Sequence, residues 1–302
     1  MAAGLDWQRD GPTWPHAANS HFVESAGQRW HVQRWPAPRP DAPTWLLLHG
    51  VGAATPSWRG LAPLLSQHVG LVVPDLPGHG FSGPAPAGRA DMQAMAHSTS
   101  LLLQTLKVSV PTIVGHSAGA AIAVRMALQA ERAGTATPTS IVGLNAALLP
   151  LPGLAGRLFS PAAKLLALNP LVPHFVAWRI GDPAVLARLL NSTGSRLDDA
   201  GTALYRRLVE SPAHEAGALA MMARWNLPAL AADLPRLRTP LHLLVADADR
   251  TIPPADAQRV LTMLPGTTLH TLPGLGHLAH EEEPSTVADV LLRQAQQSAA
   301  RR

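Results

Sequence analysis

Five short stretches of this chain, residues 44–48, 71–75, 112–114, 140–144 and 241–245, are almost wholly apolar. A strand with one wet face alternates polar and apolar residues, whereas a strand buried on both faces is apolar throughout. Helical stretches lie between them, among them residues 58–67, 92–106 and 118–129. Buried strands alternating with helices fold as a mostly parallel central sheet with helices on both faces, an α/β architecture. Ahead of these, residues 22–25 and 28–33 alternate in the strand manner around Ala26-Gly27, which predicts a hairpin at an antiparallel edge. Residues 1–20, polar with interspersed Trp and Pro, read as an irregular lead-in. With 302 residues, 47% of them hydrophobic, the chain can bury one large core and still carry an insertion.

The alternation stops near residue 146. From there to about 229 the sequence predicts helices and loops without a buried strand. Between 146 and 190 the only charged residues are Arg157, Lys164, Arg179, Asp182 and Arg188. The expected organisation is therefore a core of residues 1–145 and 230–302, with a helical cap of residues 146–229 inserted between two core strands. An apolar excursion above the strand ends would act as a lid.

The strongest chemical signal is Gly115-His116-Ser117-Ala118-Gly119, which follows the strand at 112–114 and opens the helix at 118. A serine on a sharp strand-to-helix turn has its hydroxyl held at the top of the sheet, and the flanking glycines are needed because the turn is cramped. Such a serine needs a base to take its proton and a third group to orient that base. In this architecture the three occur in the order Ser, acid, His. Asp249 follows the strand at 241–245, and His277 follows a further strand at 268–272. Both therefore belong on the same rim as Ser117, where open α/β sheets place their chemistry. Asp247 is the rival acid, or a loop cap; Asp249 is preferred because it stands four residues before Pro253. His280 is the rival base, but Glu281-Glu282-Glu283-Pro284 after it reads as an acidic helix start on a solvated face. The oxyanion hole needs two backbone N–H groups. Ala118, after the serine, would supply one, and Val51 in His49-Gly50-Val51-Gly52 the other. His49 reads as a structural hydrogen-bonding residue, and the loop 75–82 as support beside the rim.

Together these motifs resemble the α/β-hydrolase superfamily over residues 20–298. A closer resemblance rests on segments outside them: Asp6-Trp7 and Thr13-Trp14-Pro15-His16-Ala17, Arg29-Trp30-His31-Val32-Gln33, Leu144-Asn145-Ala146-Ala147-Leu148-Leu149-Pro150, Thr193-Gly194-Ser195-Arg196-Leu197, and Met221-Met222-Ala223-Arg224-Trp225. These look like the magnesium-chelatase accessory proteins of bacteriochlorophyll biosynthesis in phototrophic bacteria. The resemblance implies a role near magnesium insertion into protoporphyrin IX and contact with the chelatase, without defining a reaction. The filled triad implies a serine hydrolase acting on a hydrophobic, ester-like substrate, a tetrapyrrole or a lipid. The alternatives are a non-catalytic module that binds a porphyrin or docks on the chelatase, with Trp178 and Trp225 in its cap, and a general carboxylesterase unrelated to pigment. Haloalkane-dehalogenase and epoxide-hydrolase chemistry is disfavoured, since those enzymes carry a carboxylate where Ser117 stands.

Composition narrows the partners. The formal charge is +4, and the basic residues are arginines apart from Lys107 and Lys164. The sequence pI of 10.5 reflects this Arg bias, with one tyrosine and no cysteine to titrate in the alkaline range. No basic stripe interleaved with aromatics suggests nucleic acid. Absent cysteines exclude disulfides and thiolate metal sites, the 14 histidines are scattered, and no cofactor or metal is expected. Residues 1–7 carry neither a basic nor an apolar signal region, which sets the expectation of a cytoplasmic protein. Leucines at 165–176 with Arg157, Lys164 and Arg179 would suit peripheral contact with the photosynthetic membrane.

Overall fold

The computed structural model describes residues 4–86, 89–150 and 172–300. Eight strands form a single sheet in the order β1-β2-β4-β3-β5-β6-β7-β8. These are β1 (Ser20–Ser25), β2 (Gln28–Trp35), β3 (Thr44–Leu48), β4 (Gly70–Pro74), β5 (Thr112–His116), β6 (Ser140–Leu144), β7 (Leu241–Ala246) and β8 (Thr268–Leu272). β1 and β2 form the antiparallel edge, with Ser25 opposite Gln28, and every pairing from β3 to β8 is parallel. Ala26 and Gly27 both adopt positive φ, 56° and 73°, which gives the two-residue turn the twist the hairpin needs.

Alternate residues of each central strand enter opposite cores. Leu46, Leu48, Val72, Ile113, Ile141 and Leu243 pack on one face; Trp45, Leu47, Leu71, Val73, Val114, Val142 and Leu244 pack on the other. This is why these strands are almost wholly apolar. The helices around the core are α1 (Trp7–Asp10), α2 (Leu61–Leu65), α3 (Met92–Thr105) and α4 (Ala118–Ala133). The stretch 58–67, expected as one helix, is instead a 3₁₀ turn at Thr55–Trp58 followed by the five-residue α2. Gly60 and Pro63 both weaken helix propagation there. The lead-in is also more ordered than expected. Trp14 is buried with Phe81 and Leu208, and Arg207 lies 5.2 Å from the Trp14 ring centroid.

Between β6 and β7 the described residues form five α-helices and the loops that join them: α5 (Val172–Ile180), α6 (Pro183–Ser192), α7 (Asp199–Val209), α8 (Pro212–Arg224) and α9 (Leu227–Asp233). Residues 151–171, including Arg157 and Lys164, lie outside the described residues. The ends of the expected cap segment join the core itself, since Leu148, Leu149, Met221, Trp225 and Leu227 pack with the sheet residues above. After β7 come α10 (Ala255–Met263), α11 (Ala279–Glu282) and α12 (Pro284–Ala300).

Candidate active site

In the sheet, sequence order reverses at β3, flanked by β4 on one side and β5 on the other. A crevice opens beyond the carboxyl ends of strands at such a switch point. The loop 49–52 leaves β3 there, and Ser117 stands one residue past β5. Ser117 has φ 49° and ψ −114°, a strained backbone for a residue with a side chain. The neighbours hold it: its N–H donates to Leu144 O at 2.9 Å, and its carbonyl accepts from Ala120 N at 3.1 Å and Ala147 N at 3.2 Å. The glycines on either side are obligatory. A Cβ on Gly115 would strike the backbone of Ala120, and one on Gly119 would strike the carbonyl of Leu48. The start of α4 is thereby seated on the end of β3.

Asp249 and His277 meet at the same rim. His277 Nδ1–H donates to Asp249 Oδ2 at 2.8 Å, while Asp249 Oδ1 accepts from Thr251 N at 2.7 Å and Ile252 N at 2.9 Å. Both carboxylate oxygens are thus engaged, which fixes the carboxylate plane against the imidazole. Ser117, Asp249 and His277 are 7%, 6% and 6% exposed. Among the described residues no hydrogen bond joins Ser117 Oγ to His277 Nε2. The rival acid is elsewhere: Asp247 Oδ1 accepts from Gly274 N at 2.7 Å, as a loop cap does.

The loop 49–52 lies against the serine, and a Cβ on Gly50 would come 3.2 Å from Ser117 Cβ. The N–H groups of Val51 and Ala118 donate to no protein acceptor among the described residues. His49 accepts from Leu76 N at Nε2 (2.9 Å), so Nδ1 carries the proton and donates to Gly50 O at 2.7 Å. Burial lowers its pKa, which keeps it in that neutral form. Asp75 anchors the neighbouring loop by accepting from Thr55 N, Phe81 N and His31 Nδ1 at 2.6, 2.9 and 2.6 Å. Burial alone would raise its carboxyl, but His31 outweighs that and holds it at about 2.

Three contributors were not legible beforehand. Asn145 Nδ2 donates to the carbonyls of Gly276 (3.1 Å) and His277 (2.9 Å), and its Oδ1 accepts from Ala246 N at 2.8 Å. His116 Nε2–H donates to His277 O at 2.9 Å, with the two rings 4.7 Å apart. Burial, with the His280 and His277 rings nearby, pushes the pKa of His116 well down. His214 on α8 accepts from Gly80 N (3.0 Å) and donates to Gly52 O (3.1 Å), with burial lowering its pKa to about 4. Each of these partners lies more than a hundred residues away along the chain. Asn145 and His116 lie inside segments that the sequence singles out for other reasons, and nothing in the sequence marks His214.

Residues 280–282 are not the solvated acidic face expected from their charges; of the three glutamates only Glu283 is exposed. His280 is buried against Trp58 and His116, with ring centroids 4.7 and 4.5 Å away, and burial pushes its pKa down to about 3. Glu281 accepts from Tyr205 OH at 2.7 Å, and burial raises its pKa to about 8. Glu282 accepts from Gly276 N at 2.9 Å and Arg196 N at 3.1 Å. The carboxylates are consumed by contacts between α11 and the inserted helices. Of the two cap tryptophans, Trp225 is core packing, whereas Trp178 is 73% exposed beside Phe175, itself 61% exposed. Among the described residues no three His, Asp or Glu side chains converge as a metal ion would require, and no helix is long and apolar enough to cross a membrane.

Comparison with known proteins agrees with this fold. The chain is 38% identical over 263 residues to the magnesium-chelatase 30 kDa subunit of Rhodobacter capsulatus, covering 87% of this chain and 89% of that protein. It is 26% identical to an sn-1-specific diacylglycerol lipase of Mus musculus, over 82% of this chain and 80% of that one. The solved structure of a membrane phospholipase A, a bacterial virulence factor, superposes with a TM-score of 0.75 at 22% identity, covering 97% of this chain and 91% of that one. At that identity the likeness is one of fold. The model of the alpha/beta hydrolase family matches residues 45–290, from β3 through the loops that carry Ser117, Asp249 and His277 into α12, and the chain belongs to that family.

Proposed function

We propose that this protein is an accessory factor to magnesium chelatase in bacteriochlorophyll biosynthesis, and that it is a serine hydrolase acting on an ester-like bond in a hydrophobic substrate. The observation that carries the catalytic half is the 2.8 Å His277–Asp249 bond on the rim beside the strained Ser117 elbow. The pigment half rests on the likeness to the Rhodobacter capsulatus protein.

In this reading Ser117 Oγ attacks the substrate carbonyl carbon while its proton passes to His277 Nε2. The carbonyl π pair moves onto oxygen, where the N–H groups of Val51 and Ala118 stabilise it; one such donor contributes about 3 kcal/mol. Asp249 keeps His277 in the tautomer with Nδ1 protonated and balances the imidazolium charge. The tetrahedral adduct collapses, the carbon–oxygen bond to the leaving alcohol breaks, and His277 returns the proton to that oxygen. Water then repeats the sequence on the acyl-serine, releasing the acid. The missing Ser117–His277 bond is consistent with a site that tightens on substrate, as catalytic hydrogen bonds often do. The helices inserted between β6 and β7 act as the cap over the site, and a tetrapyrrole ester is a candidate substrate. The protein works in the cytoplasm, at the periphery of the photosynthetic membrane.

The exposed Phe175–Trp178 pair favours a second reading, in which α5 docks on the chelatase or a porphyrin and the triad is idle. Complementation of a strain lacking the gene separates the two. Catalysis predicts that Ser117→Ala, folded and expressed, fails to restore pigment synthesis; full rescue would leave only the docking reading.

A further inference from the structure

The segment Thr193-Gly194-Ser195 links α6 to α7 within the insertion, and it touches both loops that carry the acid and the base. The carbonyl of Thr193 accepts from Arg250 N at 3.1 Å and from His277 N at 3.3 Å. One oxygen thus bridges the residue after Asp249 to His277 itself. The hydroxyl of Ser195, a buried residue, accepts from Leu278 N at 2.7 Å. The backbones are packed so closely that side chains are excluded. Gly194 has φ +87°, where a Cβ would also strike the carbonyl of Ala248, and a Cβ on Gly276 would strike Gly194 and Ser195. Leu278, next to His277, packs in the insertion's own apolar cluster with Leu186, Leu190 and Val209.

We propose that Thr193-Gly194-Ser195 is a clasp that sets the His277–Asp249 geometry, the Thr193 carbonyl holding the His277 and Arg250 N–H groups and Ser195 a positioning residue acting through the Leu278 N–H. A loop that served only as the mouth of a lid would need none of these contacts. Here the acid loop and the base loop are joined to each other through the insertion as well as through the sheet. The insertion is therefore part of the site's alignment, and it cannot lift away as a unit without releasing His277. The clasp rests on the serine-hydrolase reading for its catalytic consequence, but the alignment of His277 on Asp249 can be read without catalysis.

The test uses the full-length protein with Ser195→Ala and the near-isosteric Ser195→Cys, whose sulfur is a weak acceptor. Two quantities are measured: kcat and KM on 4-nitrophenyl butyrate, and the low-field proton resonance of the His277 Nδ1–H···Asp249 bond. Both variants are expected to lose about tenfold in kcat, with KM little changed, as loss of one buried hydrogen bond to the base loop implies. The resonance should broaden or disappear, and Ser195→Thr, which keeps the hydroxyl, should restore both. Asp182→Ala, which removes the exposed N-cap of α6, should lower thermal stability and leave kcat and the resonance as in the wild type. Unchanged kcat and resonance in folded Ser195→Ala or Ser195→Cys would overturn the clasp, as would an equal effect of Asp182→Ala. If the wild type hydrolyses nothing, the hydrolase reading fails, and the resonance alone decides the clasp.

Discussion

Ser117 at φ 49° would relax to an ordinary conformation if its surroundings let it. What prevents this is the absence of side chains at Gly115 and Gly119, which lets α4 close onto β3 and β5. Gly119→Ala is therefore expected to abolish soluble, cooperatively folding protein, because the added methyl meets a backbone carbonyl that cannot move; a normal circular-dichroism melt would contradict this. The same local reasoning separates the two aspartates. Asp249→Asn should cut the rate of ester hydrolysis by about 10³–10⁴-fold, by stabilising the wrong His277 tautomer. Asp247→Asn, which alters only a loop cap, should change it by less than about threefold. Ser117, Asp249 and His277 stand out in the sequence as candidates because a motif and an order of residues define them. Asn145, Ser195 and His214 could not, because what they do depends on partners that only the folded chain brings near.

At the level of elements, strands were easier to read than helices. β3 and β6 begin and end where their apolar pattern does, since a doubly buried strand is almost wholly apolar and leaves a sharp mark. The stretch at 58–67 misled because its leucines keep helical spacing while Gly60 and Pro63 deny it length. Glu281 and Glu282 depart from expectation for another reason: charge suggests solvent unless the partners, here Tyr205, Arg196 and Gly276, are known. α8 shows how an element can seat a loop of the site. His214 satisfies Gly80 N and Gly52 O, and a Cβ on Gly217 would collide with the carbonyl of Gly78. His214→Phe fills similar space but leaves both backbone groups unpaired. It should destabilise the fold by about 2 kcal/mol, measured as a shift of the urea midpoint; no shift would mean that water replaces the ring without loss.

For the whole molecule, buried titratable groups set how stability depends on pH. His116, His214 and His280 have folded pKa values below the ordinary 6.5, the last two at about 4 and about 3. Between those values and 6.5 the unfolded chain binds more protons, so these groups make stability rise with pH up to about 6.5 and be lost on acidification. Glu215 and Glu281 have the opposite sign. Burial raises them to about 7 and about 8 from the ordinary 4.5, so the folded chain holds more protons and stability falls as pH rises through that range. Above 6.5 only the glutamates act. The melting temperature should therefore peak near pH 6.5 and decline towards pH 8. Glu281→Gln, which keeps a partner for Tyr205 OH, should flatten the decline; an unchanged alkaline limb would show that Glu281 ionises freely in the folded state.

The most direct test is active-site labelling. Incubated with a fluorophosphonate and examined by intact-mass and peptide mass spectrometry, the wild-type protein should gain one phosphonyl group on Ser117. Ser117→Ala should gain none, and Asp249→Asn should react far more slowly. A folded wild-type protein that stays unlabelled, or labelling that persists in Ser117→Ala, would contradict the assignment of Ser117 as a nucleophile served by His277 and Asp249.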